Sequence, residues 1–94
     1  MTAPDAPEGC AHLAAVAGPP PPIRTDGCES CLAIGQTWVQ LRQCLVCGRV
    51  GCCDNSIGRH ATGHFHETGH PTIRAHPDFG DWRWCYVDEV AIDG

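Results

Sequence analysis

Cys28-x-x-Cys31 and Cys44-x-x-Cys47, followed by Cys53, His60, His64 and His70, are the residues of this chain whose types and spacing suit chemistry. Two paired-thiol knuckles, one further cysteine and three histidines supply the eight donors that two tetrahedral zinc ions take. A Cys-x-x-Cys knuckle converges two sulfurs from one tight turn, and remote Cys and His residues close each tetrahedron, drawing separate segments together. A catalytic zinc keeps one position open for water, whereas sets that close at four ligands are structural. No His-Glu-x-x-His pair is present, and Glu67 and Asp81 form no acid/base couple. Cys52 is read as a buried structural thiol, not a nucleophile. The chain is therefore expected not to be an enzyme.

These donors need elements to position them. Gln36–Arg42 alternates and carries aromatic and β-branched residues, which predicts a strand leading into the second knuckle, with Arg49–Cys52 as its return. Ser56 reads as an N-cap for a helix over Ile57–Glu67, and Gly69 as the residue that ends it. His60 and His64, four apart, share one face of that helix, while His66 is turned away and is read as solvated. Thr72–Arg74, Trp82–Val87 and Val90–Ile92 read as three more strands, and His76 falls in a turn. The expected fold is a small α+β, zinc-stabilised domain: a short antiparallel sheet with one main helix. Adjacent Cys52 and Cys53 point to opposite sides if 49–52 is extended, so one of them serves the metal. Spacing alone leaves the pairing open, between one ribbon-like site of both knuckles and an interleaved arrangement.

Composition explains why metal is needed. The 94 residues include 11 glycines and 8 prolines but only three Trp, two Phe and one Tyr. Single cores in chains below about 70–80 residues rarely supply more than roughly 3–5 kcal/mol, whereas structural zinc contributes apparent values of roughly 10–16 kcal/mol in small finger peptides. Length fits one domain, 10–94, preceded by a Pro- and acid-containing stretch, 1–9, expected to be a disordered tail. Gly18–Pro22 reads as a stiff polyproline spacer. The start of the chain carries acid where an export signal is basic, and Leu13–Ala17 is too short for a membrane span, so reduced thiols in the cytoplasm are expected. The net charge is −5, with no Lys and six scattered Arg, which disfavours nucleic acid. A monomer without membrane contact is expected.

Cys10-x-His12, the two knuckles, the C-x6-H-x3-H-x5-H run and Trp84-Cys85-Tyr86 together resemble the ubiquitin-protease-type zinc finger. That module occurs in deubiquitinating enzymes, in a cytoplasmic histone deacetylase and as short stand-alone bacterial proteins. The resemblance runs from Cys10 to about Glu89. It implies interleaved sites: Cys28, Cys31, Cys53 and His60 for one ion, and Cys44, Cys47, His64 and His70 for a second. Cys10, His12 and Cys85 would form a third with Asp88, where three-zinc members carry a cysteine; carboxylate oxygen also ligates zinc.

Ubiquitin-binding members hold a Gly-Gly carboxylate between aromatic walls and an arginine. Trp84 and Tyr86 match that pattern, but Arg42 stands where an aromatic is expected. Asn55 stands in place of the arginine, and Ser56 in place of a neighbouring aromatic. The expected function is thus a zinc-binding interaction module recognising a peptide or protein C-terminus through Trp84, Tyr86, Arg42 and Asn55, with the ubiquitin-tail pocket only partly retained. A zinc-handling or thiol redox-responsive protein is the alternative.

Overall fold

A computed structural model describes residues 10–93, except the side chain of Asp93; the 1–9 tail expectation lies outside the described residues. Its elements are α1 (Ala11–Ala15), α2 (Glu29–Ile34), β1 (Leu41–Cys44), β2 (Val50–Cys52), α3 (His60–Thr68), β3 (Thr72–Ala75), a 3-10 turn (Pro77–Phe79), β4 (Trp82–Cys85) and β5 (Val90–Asp93). The strands form one antiparallel sheet in the order β2-β1-β3-β4-β5. The α+β class and a main helix of nine residues agree with the sequence reading. Two short helices, α1 and α2, were not expected; each begins at a cysteine whose sulfur accepts from the backbone N–H three residues on.

Three boundaries differ from expectation. Residues 36–40 are not strand: they carry the chain from α2 to β1, and Trp38 packs against the core instead. β4 stops at Cys85, where a turn begins. α3 starts at His60, not Ile57, and Arg59 precedes it with φ 47° and no side-chain cap bond. Ser56 is buried and its Oγ accepts from Val39 N at 2.8 Å, so it anchors the preceding loop. Gly58 lets this loop pass close to the His60 ring, because a Cβ there would lie 2.3 Å from His60 Cε1. The predicted stop holds: Gly69 ends α3 in the left-handed region, φ 78°.

Strand alternation divides the sheet into two faces. Register places Arg42 opposite Ala75, and Ile73 opposite Trp84, which lies opposite Ala91. On this face α3 covers only β1 and β2, resting close enough on Gly51 that a Cβ there would meet the Ala61 backbone at 2.7 Å. The face over β3–β5 is left without a helix.

The other face carries two small cores. One joins Cys28, Cys31, Leu41, Val50 and Cys52, with Trp38 and Phe79 packed on it; the second joins Cys10, Leu13 and Cys85, flanked by Val90 and Ile92. Cysteines supply most of these buried positions, so ligands and core are largely the same residues. Between the two cores the polyproline segment crosses the sheet. Buried Gln43 donates to Pro22 O at 2.9 Å and accepts from Arg74 Nε at 2.6 Å, and Arg74 donates to Pro21 O at 3.1 Å. Arg83 donates to the carbonyls of Val16 and Gly18. Prolines offer acceptors only, and guanidinium groups offer donors only, so the match is chemical as well as steric.

Candidate metal centre and binding cleft

Three clusters of metal-ligating side chains stand at the seams between these elements, and within each the ligating atoms all lie within 4.8 Å of one another. The first takes Cys28 and Cys31 from the start of α2, Cys52 from β2 and His60 from α3. The expected Cys53 is not part of it. Cys52 pairs with Leu41 and lies two residues after Val50, so alternation turns all three to the core. Cys53 Sγ faces the other way, 3.5 Å from Ser56 Oγ. The second cluster is Cys44, Cys47, His64 and His70, as expected, and the third is Cys10, His12, Cys85 and Asp88, as expected.

The spacings suit zinc. Ligand distances of about 2.3 Å to sulfur and 2.0–2.1 Å to nitrogen give tetrahedral edges of roughly 3.8 Å between sulfurs and 3.4–3.6 Å for edges ending on nitrogen. In the first cluster Cys31 Sγ and Cys52 Sγ are 3.8 Å apart, and His60 Nδ1 lies 3.2, 3.3 and 3.4 Å from the three sulfurs. In the second, Cys44–His70 is 3.6 Å, Cys47–His64 3.3 Å and His64–His70 3.3 Å. In the third, His12 Nδ1 lies 3.1 Å and Cys85 Sγ 3.9 Å from Asp88 Oδ2. All eight cysteines are free.

Backbone donors complete the thiolate environment. Cys31 N, His60 N, Leu13 N and Asp88 N point at Cys28, Cys52, Cys10 and Cys85 sulfurs respectively, at 3.2–3.4 Å. The Asp88 N contact reproduces at Cys85-x-x-Asp88 the turn of the Cys28-x-x-Cys31 knuckle, with a carboxylate as the second arm. Burial, then the neighbouring Cys28 and Cys52, pushes the Cys31 thiol up to about 12. Sulfurs so placed sustain their anionic form only against a cation.

A further group of Asp26, His76 and Asp78 differs in character. His76, read from sequence as a turn bystander, is buried. Its Nδ1 accepts from Asp78 N at 3.3 Å and its Nε2 lies 3.3 Å from Thr25 O, so both ring nitrogens are engaged in bracing the turn.

A cleft of about 720 Å³ occupies the helix-free part of the α3 face. Arg42, Asn55, Trp84 and Tyr86, singled out from sequence, all line it, and Trp82, read from sequence only as part of a strand, joins them. Arg42 lies over the Trp82 ring at 4.5 Å and donates to Leu41 O and Gln40 Oε1. Tyr86 stacks on Phe65 of α3 at 4.8 Å, and its hydroxyl is linked through Thr62 Oγ1 to Asp54 Oδ1. Arg83, on the opposite face, is committed to the polyproline strap.

Comparison with known proteins agrees with this geometry. The family model described as "Zn-finger in ubiquitin-hydrolases and other protein" matches residues 28–93. This chain belongs to the UBP-type zinc-finger family. As a UBP-type finger it is a zinc-binding module, and its Cys/His clusters are the places where zinc fits. The chain is 37% identical over 51 residues to BRCA1-associated protein of both Mus musculus and Homo sapiens, a match covering 54% of this chain and 8% of each relative. It thus corresponds to a small part of those proteins' length. The solution NMR structure of protein RPA1320 from Rhodopseudomonas palustris is similar over 99% of this UBP-type finger and 84% of that chain. Its TM-score is 0.80 and its identity 49%. The family match begins at Cys28, so Cys10 and His12 of the third cluster lie before it.

Proposed function

We propose that this UBP-type finger is a non-catalytic binding module, scaffolded by three zinc ions, that captures the C-terminus of a peptide or protein in the Trp82–Trp84–Tyr86 cleft. One observation carries the reading: an apolar, aromatic-walled cleft on the uncovered half of the sheet holds the Arg42 guanidinium, which is outside every ion pair among the described residues. Aromatic walls clasp a tail, and a guanidinium takes a terminal carboxylate. The other arginines favour a protein partner over nucleic acid. Arg24 and Arg49 pair with Glu29, and Arg74 and Arg83 hold the strap, which leaves the exposed Arg59 as a single cation and no basic groove. Monomeric, cytoplasmic action away from membranes fits the same reading.

Titration of the zinc-loaded chain with short peptides, read by Trp fluorescence, tests this. A free C-terminal carboxylate is expected to shift the emission, and its amide or the Arg42→Ala variant to weaken binding by roughly tenfold or more. Equal response to acid and amide peptides would remove Arg42 from the role.

The third ion has a separate test. Cys85→Ser is expected to lower bound zinc by about one equivalent per chain, since the three remaining donors, Cys10, His12 and Asp88, cannot hold the metal as tightly alone. An unchanged zinc count would leave that cluster a packing feature. The rival reading, in which thiol oxidation releases zinc as the function, draws on Cys47, the exposed cysteine of the second cluster. Rapid zinc loss to mild peroxide with Cys47 the first thiol oxidised would favour it; zinc retained under the same treatment would remove it.

A further inference from the structure

We infer that the cleft selects a C-terminal residue bearing a cationic side chain, Lys or Arg, instead of two glycines. This deepens the C-terminus reading above and rests on it. Three charged groups line the cleft: Arg42 from β1, Asp54 from the loop before α3, and Glu89 from the β4–β5 turn. Among the described residues none of the three belongs to an ion pair, so their charges face the cleft without a partner. Asp54 Oδ1 accepts from Thr62 Oγ1 at 2.6 Å, which fixes the carboxylate and leaves Oδ2 for a ligand.

The balance is one positive against two negative groups. A tail ending in glycine brings only its carboxylate, which Arg42 can take while Asp54 and Glu89 repel it. A tail ending in Lys or Arg brings both signs. Its carboxylate meets Arg42, and its side chain runs past the Trp84 and Tyr86 rings toward the acids, with its methylene stem on the aromatic surface. Room is available, because a cleft of about 720 Å³ is far larger than two residues without side chains require. Beyond Asp54 the loop gives only the uncharged Asn55 to the wall, since Ser56 is turned inward to Val39 N.

The zinc-loaded full chain would be titrated with Gly-Ser-Gly-Lys and Gly-Ser-Gly-Gly, each with a free carboxylate, following Trp fluorescence and amide shifts. The Lys-ended peptide is expected to bind roughly tenfold more tightly, the effect of about one desolvated charge contact. Asp54→Asn, which keeps the Oδ1 acceptor for Thr62, combined with Glu89→Gln, is expected to erase that preference by weakening the Lys-ended peptide and tightening the glycine tail, whose carboxylate is no longer repelled. Equal or tighter binding of the glycine tail to wild type overturns this inference and leaves the C-terminus reading standing. No response to either peptide overturns both.

Discussion

Stripping the metal with a strong chelator is expected to abolish the cooperative fold. The reason lies in what is buried: Cys28, Cys31 and Cys52 make most of one core, and Cys10 and Cys85 most of the other. The purely apolar remainder of those clusters, Leu41, Val50 and Leu13, is too little to offset chain entropy, which costs roughly 1–2 kcal/mol per ordered residue for the backbone alone. Structural zinc contributes roughly 10–16 kcal/mol in comparable small modules, as much as the whole net stability of a typical domain. Dispersed amide signals should therefore collapse on chelation and return on adding zinc. Acid should act the same way, because protons compete with the metal for sulfur and imidazole. A chelated chain that kept a dispersed spectrum and a sharp thermal transition would mean that the fold does not depend on zinc.

Cys52→Ser and Cys53→Ser should differ sharply although the residues are neighbours. Cys52 is fully buried, 3.8 Å from Cys31 Sγ and 3.4 Å from His60 Nδ1, and accepts from His60 N. Losing that sulfur breaks the first cage, so loss of zinc at that site and unfolding at ordinary temperature are expected. Cys53 Sγ lies outside all three metal clusters and meets the Ser56 hydroxyl, and the exchange to a hydroxyl there should cost about 1 kcal/mol with no loss of metal. Metal counting and thermal melts of the two variants decide the matter; a reversed outcome would restore Cys53 as the ligand.

That pair also shows how far the sequence could be read. Donor types and spacing marked the knuckles and the three histidines as ligands but left their pairing open; the family resemblance implied the three sets, and eleven of its twelve positions fall in the clusters. The Cys53 error arose from counting residues back from His60 by family pattern. The better signal was local: Val50 must face the core, and Cys52, two residues later in the same strand, must face it too. Helix α3 was legible from its histidine spacing and its terminal Gly69. Its start was not, because Ser56 has the chemistry of a cap but spends its hydroxyl on Val39, a tertiary contact that no local pattern encodes. The cleft was legible only as residues; that α3 stops short of β3–β5, and so leaves them open, is a property of the assembled sheet.

Helix α3 gives His60 to one cage and His64, one turn later, to the next. A zinc ion bound in either cage could not leave without tugging on the peg that secures the other. Uptake at the first centre pre-pays the ordering of the second, so half-filled molecules should be scarce and the pair should behave as a single unit of exchange.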